Sequence, residues 1–149
     1  MDDARNLYDS IENYGDIEKL LGTQESIYID FKQTQNGDGR IGDGDKAHFS
    51  KAASGFAHQE GGVIVWGIDA RKDENEVNSA RELKPISNVN RLCSEFWDYT
   101  KYSTEPVVDG IDHNIIFEDD NEQANKGFIV SFFPKSDRSH KVVRSHVSK

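Results

Sequence analysis

The chain has 149 residues, a formal net charge of −9 and a single cysteine, Cys93. This length is enough for one domain with a real core, the lone cysteine excludes an internal disulfide framework, and no run approaches the roughly 20 apolar residues that span a bilayer. We therefore expect a cytoplasmic protein with no membrane partner. The negative charge counts against a passive nucleic-acid binder, although an acidic chain can act on nucleic acid if its carboxylates hold metal ions that face the phosphate.

The N-terminal residues predict a helical lead-in followed by a strand. The apolar spacing over residues 1–22 indicates two short amphipathic helices, the second capped by Asp16 and ended by Gly22. Residues 27–32 then alternate between apolar and polar, which predicts a strand with one buried face and one polar face. The buried face would carry Ile27, Ile29 and Phe31, and the polar face Tyr28, Asp30 and Lys32.

The middle of the chain predicts a loop, a helix and a central strand. Residues 34–45 form a Gly/Asp-rich loop, and Asp45 can cap the helix that follows. The helix carries an apolar stripe at spacings of three and four residues, made of Phe49, Ala52, Ala53, Phe56 and Ala57. After Gly61-Gly62, the continuous apolar run 63–68 is typical of a central strand covered on both faces, with Asp69 at its carboxyl end.

The C-terminal half predicts one more long helix and several strands. Residues 70–86 are polar and favour irregular structure, and Ser87 can cap a helix whose apolar side holds Val89, Leu92, Cys93, Phe96, Trp97 and Thr100. The elements expected after it are strands 105–111 and 113–117 around an Asp109-Gly110 turn, an acidic loop 118–126, a strand 127–133 and a polar tail 135–149 with strand material only at Val142 and Val143. The prediction is a single α+β domain over residues 1–149, with a mixed, mostly antiparallel sheet flanked by helices.

Three carboxylates could assemble a site in this fold. Glu25 lies just before the first strand, Asp30 within it, and Asp69 at the end of the central strand. Carboxylates are the oxygen ligands that Mg²⁺ or Mn²⁺ prefers, and such an ion can activate water against a phosphodiester. Lys32 shares a strand face with Asp30 and could contact the phosphate.

The spacing of the first two acids requires a bend. Asp30 lies five positions after Glu25, and an odd offset places two residues on opposite faces of a regular strand. They converge only if the chain turns near Ser26. The alternative is that all three acids are ordinary turn or surface charges, and spacing by itself leaves that alternative open.

Two separated motifs resemble the Schlafen AlbA-type domain. The first is Glu25-Ser26, three residues, Asp30-Phe31-Lys32, and the second runs from Gly55-Phe56-Ala57-His58 through Gly61-Gly62 to the apolar strand that ends at Asp69. Family members typically have Glu where this chain has Asp30 and Asn where it has His58. The family's closing aromatic and Arg/Gly-containing strand is not evident, so the chain is either a fragment of a longer protein or a short stand-alone form.

The resemblance implies a metal-dependent endoribonuclease that cleaves structured RNA such as tRNA. It places metal ligands at Glu25, Asp30 and Asp69, with Lys32 on the phosphate and one or two Mg²⁺ or Mn²⁺ ions. The other basic residues that would bring in the RNA backbone are Arg40, Lys46 and Lys51. The resemblance also makes a homodimer plausible, because active relatives place two such lobes around the substrate.

Two further hypotheses stay open. The chain could be a non-catalytic nucleic-acid-binding or regulatory module, or an interaction subunit of a larger assembly. Within residues 34–45, Gly37-x-Gly39-x-x-Gly42 fits a dinucleotide fingerprint. Asn36, Asp38, Gly39 and Ile41 faintly imitate a calcium loop, but Thr34 and Asp45 are wrong or too short for its two outer ligands. The favoured interpretation is a flexible surface loop. The five histidines show no ligand spacing, and Cys93 is expected in the core.

Overall fold

The computed structural model describes residues 3–72 and 74–142. Its strands are β1 (Ile29–Lys32), β2 (Gly62–Trp66), β3 (Ile68–Lys72), β4 (Asn78–Leu83), β5 (Ile86–Ser87), β6 (Thr104–Glu105), β7 (Asp112–Phe117), β8 (Lys126–Phe133) and β9 (Lys141–Val142). β1, β2, β8, β5 and β7 form one five-stranded sheet, while β3–β4 and β6–β9 are two-stranded ribbons. β1 runs parallel to β2 and every other pairing is antiparallel. The predicted mixed, mostly antiparallel sheet is confirmed.

Helices cover both faces of this sheet. They are α1 (Asp3–Ser10), α2 (Tyr14–Glu18), α3 (Asp43–His58) and α4 (Val89–Thr100), with two short 3₁₀ turns at Glu118–Asp120 and Glu122–Ala124. One core lies between the sheet and α3 and α4, and the other lies between the sheet and α1, α2 and β4. This arrangement is the predicted α+β fold. None of the described helices is long and apolar enough to cross a membrane.

The alternation of side chains along β2 divides the two cores. Ile64 and Trp66 lie in the core of α3 and α4, whereas Val63 and Val65 lie in the core of α1 and α2. All four are fully buried. The apolar run 63–66 is therefore a strand covered on both faces, as its sequence predicted.

Phe49 is the centre of the core beneath α3. Its ring has no exposed surface, and its centroid lies 5.3 Å from that of Phe133, 5.4 Å from Tyr99 and 5.8 Å from Phe96. These rings meet edge to face, the geometry that aromatic pairs favour. The predicted stripe on α3 thus packs against α4 and β8 in one continuous core.

A chain of hydrogen bonds crosses the same core. Trp66 Nε1 donates to Ser131 Oγ at 3.0 Å, Ser131 Oγ lies 2.7 Å from His113 Nδ1, and His113 Nε2 lies 3.0 Å from Thr100 Oγ1. Because the Trp66 N–H can only donate, the Ser131 hydroxyl is free to donate to Nδ1, which leaves the His113 proton on Nε2. Burial lowers the pKa of His113 to about 3, so the imidazole is neutral.

Several predicted boundaries are wrong. Residues 70–86 are not irregular, because β3, β4 and β5 lie there. The 105–111 strand is absent apart from Glu105, which belongs to β6. Ile27 is 62% exposed because the chain bends before β1 begins. Val142 lies in β9 as predicted, and Val143 lies outside the described residues.

The predicted helix caps are also displaced. Asn13 begins α2 in a reciprocal hydrogen-bond pair with Asp16, so Asp16 occupies the third helical position. Asn88 precedes α4, where Ser87 was expected. α3 begins two residues before Asp45, whose side chain accepts a hydrogen bond from the Gly42 amide at 2.9 Å. Short polar side chains therefore support the starts of α2 and α3, whereas Asn88 makes no capping hydrogen bond and the Asn90 amide of α4 donates to Asn125 Oδ1 instead.

Candidate functional site

The chain bends immediately before β1, as the spacing of Glu25 and Asp30 requires. Ser26 N donates to Ile29 O at 3.1 Å, and the Ser26 hydroxyl accepts from Tyr28 N at 3.1 Å. Upstream of the bend, Glu25 N donates to Asn78 O of β4 at 2.8 Å. The Glu25 backbone is therefore hydrogen-bonded to β4 and is not part of β1, so the Glu25 side chain can turn back toward β1.

The bend brings the Glu25 and Asp30 carboxyl groups into hydrogen-bond contact. Burial, followed by the hydrogen bond with Glu25, raises the pKa of Asp30 from 3.8 to about 7. Burial acts in the same direction on Glu25, but the hydrogen bonds from Asp30 and from the Phe31 amide (3.1 Å) outweigh it and lower the pKa of Glu25. Below about pH 7 the proton of the pair therefore lies on Asp30, which donates it to the Glu25 carboxylate.

Lys32 completes this group on the same face of β1. Its Nζ lies 3.4 Å from Asp30 Oδ2, and both side chains are a little under one-third exposed. The register pairs Asp30 with Ile64 and Lys32 with Trp66, two residues that face α3. The polar face of β1 consequently looks toward α3 as well.

An open groove of about 370 Å³ lies between the polar face of β1 and α3. Asp30 and Lys32 line it on the strand side. The helix contributes His48, Lys51, Ala52, Gly55 and Phe56, followed by Gln59. These positions recur at three and four residues and therefore share one helix face. We call this feature the β1–α3 groove.

The β1–α3 groove has a mixed charge. Lys32 and Lys51 bring positive charge beside the Glu25–Asp30 pair. The packing around the imidazole, with repulsion from the two lysines, lowers the pKa of His48. His48 is therefore neutral at pH 7 and can donate one hydrogen bond and accept another.

The structure does not bring Asp69 into this groove. Gly67 has φ +105° and ends β2, so Asp69 belongs to β3 and not to the end of the central strand. Its carboxylate pairs with Arg71 Nε at 2.9 Å and lies beside Glu82 of β4. Asp69 instead lines a separate depression with Arg71, Lys72, Arg81 and Glu82. Its part in a metal site stays a prediction.

The predicted RNA-contacting cations are dispersed. Lys51 lines the β1–α3 groove with Lys32. Arg40 forms an exposed ion pair with Asp38 at 2.6 Å, and Lys46 lies over the Tyr99 ring in another groove. The sequence patterns predicted no site role for His48, Gly55 or Gln59, which also line the groove. Their shared helix face, which adjoins the Phe49 stripe and overlaps it at Ala52 and Phe56, is the signal that could have identified them.

The donor set of the β1–α3 groove is compatible with a divalent ion. Two carboxyl groups share a proton at a place where a cation can replace it, and Mg²⁺ commonly uses one or two protein carboxylates with substrate phosphate completing its shell. Over residues 3–72 and 74–142, however, no three His, Cys, Asp or Glu side chains form a metal-binding group. The fit is therefore to a two-carboxylate site formed by Glu25 and Asp30.

The Gly/Asp-rich loop is anchored, which corrects its interpretation as a flexible segment. Ser87 N donates to Gly37 O at 3.1 Å, and Asn88 Nδ2 donates to Asp38 O at 3.0 Å. A Cβ on Gly39, whose φ is +88°, would lie 2.5 Å from the Asn88 carbonyl oxygen. The loop is thus packed on the start of α4. Asp45, which stands at the last ligand position of the calcium-loop pattern, is buried and accepts hydrogen bonds from two backbone N–H groups.

Comparison with known proteins assigns no family. No family model and no curated protein matches the chain. One similar solved structure is the solution NMR structure of the N-terminal domain of an ATP-dependent DNA helicase RecG-related protein from Nitrosomonas europaea. It is 15% identical with a TM-score of 0.48, over 92% of this chain and 76% of that chain. A likeness of this size carries no functional argument, and the α+β class rests on the strand pairing described above.

Proposed function

We propose that the protein is a divalent-metal-dependent endoribonuclease that acts on structured RNA such as tRNA in the β1–α3 groove. The observation that supports this most strongly is the hydrogen-bonded Glu25–Asp30 pair, whose Asp30 lines, with Lys32, a groove that also holds Lys51 and His48. The Schlafen AlbA-type motifs, which contain Glu25, Asp30 and Lys32, add the expectation of RNA as substrate.

The charged side chains at the groove, together with His48, each have a role in this proposal. Glu25 and Asp30 would hold Mg²⁺ or Mn²⁺, which when bound would supply an activated water and neutralise charge on the scissile phosphate. Lys32 and Lys51 would bind the non-bridging phosphate oxygens, since both line the groove beside the acidic pair. Neutral His48 would donate a hydrogen bond to the same phosphate. Asp69 would join as a third ligand only if its ion pair with Arg71 opened.

A second candidate is a non-catalytic nucleic-acid-binding or regulatory module. The position of Asp69 favours it, because the ion pair with Arg71 leaves two carboxylates where the resemblance implies three. In that case the groove would bind phosphate through its lysines without cleavage. A homodimer, which the resemblance makes plausible, would be tested in solution by the mass of the purified protein.

The decisive experiment is cleavage of tRNA by the purified protein with Mn²⁺ or Mg²⁺. We expect the wild type to cut, Asp30→Asn to lose cutting while staying folded, and Asp137→Asn, a change at an exposed aspartate, to cut normally. Asp69→Ala distinguishes a three-carboxylate site, which it inactivates, from a two-carboxylate site, which it leaves active. No cleavage of any RNA or DNA with either ion refutes the nuclease proposal.

Calorimetric titration separates the two candidates further. If the protein is such a nuclease, the wild type should bind Mn²⁺ and the Asp30→Asn variant should not. RNA binding that is unaffected by Mn²⁺, together with absent Mn²⁺ affinity, would favour the non-catalytic module.

A further inference from the structure

The α3 wall of the β1–α3 groove includes a part with no role in the proposed chemistry. Gly55 lies there on α3, and a Cβ built on it would meet no atom within 4 Å. A glycine inside a helix costs about 0.5–1 kcal/mol relative to alanine. At this position it leaves the floor of the groove open along a stretch of bare backbone.

An aromatic ring is fixed beside that floor. The Phe56 ring packs against the Gly62 backbone, where even a Cβ would collide with it, and its centroid lies 6.0 Å from that of Phe133. Phe56 is nevertheless only partly buried and lines the groove. The ring can therefore offer surface to a flat ligand without losing rotational freedom on binding.

The polar groups around this floor match the parts of a nucleotide. The exposed Gln59 amide supplies a donor and an acceptor of the kind that read base edges. Lys32 and Lys51 supply cations for a phosphate. At about 370 Å³ the groove is near the lower end of the range for ligand pockets, roughly 300–1,000 Å³. That is room for one nucleotide, and a base paired inside a duplex could not enter.

We infer that the β1–α3 groove binds one unpaired nucleotide, with its base over Gly55 against Phe56 and its phosphate toward Lys32 and Lys51. This rests on the proposed function for the choice of nucleic acid as ligand, and narrows the substrate to single-stranded segments, loops or ends of an RNA. Sequence-tolerant stacking on an aromatic ring is a common way to hold such bases.

The test is fluorescence anisotropy in EDTA, so that binding is measured without cleavage. The probes are a labelled single-stranded RNA 12-mer, the single-stranded DNA of the same sequence, and the fully paired RNA duplex. We expect the duplex to bind at least about tenfold more weakly than the single strands, in line with the energy of stacking one base. Binding of either single strand supports the inference, and the RNA-to-DNA affinity ratio identifies the sugar preference.

Filling the groove provides a matched pair of variants. Gly55→Leu places a side chain over the floor while improving helix propensity, so it should melt no lower than the wild type and bind the single strand about tenfold more weakly. Ala47→Leu adds a similar side chain to an exposed position of α3 outside the groove and should bind as the wild type does.

The outcomes separate this inference from the proposed function. Equal affinity for duplex and single strand, or Gly55→Leu binding as tightly as the wild type, overturns the inference. If Lys51→Ala still weakens binding in that case, the groove meets phosphate and the proposed function survives. No binding of any probe also overturns the inference, whereas the proposed function, which requires the metal ion that EDTA removes, is judged by the cleavage assay.

Discussion

Replacing Asp30 by asparagine should stabilise the protein, and more so as the pH rises. The pKa of Asp30 is about 7 in the folded chain and 3.8 as its ordinary value. Between these pH values the folded state holds a proton that the unfolded state has lost, so rising pH removes stability. Asparagine has no charge to desolvate, and its amide N–H can donate to Glu25 in place of the lost proton.

The magnitude follows from the pKa difference. One pKa unit corresponds to about 1.4 kcal/mol, so the wild type should lose at most about 2 kcal/mol between pH 5 and pH 7 through this group. The Asp30 side chain is 28% exposed. Solvent screening at that exposure reduces the expected change to about 1 kcal/mol.

The assay is urea unfolding of the wild type and Asp30→Asn at pH 5, 6, 7 and 8, with EDTA present to exclude metal binding. The quantity of interest is the difference in unfolding free energy between the two proteins, because other titrating groups cancel in it. It should grow by about 1 kcal/mol from pH 5 to pH 7, whereas the same difference for Asp137→Asn should not change with pH. A difference for Asp30→Asn that is flat or shrinks with rising pH would refute the burial of a shared proton at this pair.

Three further changes test the fold. Burial lowers the pKa of His113 to about 3 from its ordinary 6.5, so the wild type should lose about 1.4 kcal/mol of stability for each pH unit of acidification between these values. In urea unfolding, the His113→Gln variant should not show this pH dependence. The His58→Gln variant, changed at an exposed site, should show it as the wild type does. Gly55→Ala should raise the free energy of unfolding by about 0.5–1 kcal/mol, because it removes a helical glycine without a clash, and an unchanged melting temperature would contradict the open floor. Phe49→Ala should cost about 3–5 kcal/mol in the same assay, and a loss below 1 kcal/mol would show that its ring cluster is not tightly packed.

The sequence predicted the elements whose patterns are long and self-consistent. The stripe on α3 determines which side of the helix is buried, and the apolar run of β2 predicts a strand buried on both faces. The structure confirms both predictions. The β3–β4 ribbon escaped prediction because its strands are short and polar, and because Gly67 ends β2 with a backbone conformation that the apolar run conceals. For that reason Asp69 was expected beside Asp30 and lies elsewhere.

The site was predictable only in part, for a different reason. Glu25, Asp30 and Lys32 are local in sequence, so one turn at Ser26 is sufficient to bring them together. The other wall of the groove comes from α3, and its residues become neighbours of Asp30 only through the packing of the helix on the sheet. The same holds for His113, whose partners Ser131 and Thr100 lie on other elements.

Glu25 also stabilises the fold, and this contribution must be distinguished from any catalytic role. β1 lies at the edge of the sheet, where unpaired backbone groups would be a liability. Glu25 Oε2 accepts the Phe31 amide on that edge, and the bend supplies Ser26 N to the Ile29 carbonyl. Loss of activity in Glu25→Ala could thus arise from a disturbed edge alone. Glu25→Gln keeps an acceptor for the Phe31 amide, so a nuclease defect in that variant with an unchanged melting temperature would assign the missing negative charge to the reaction.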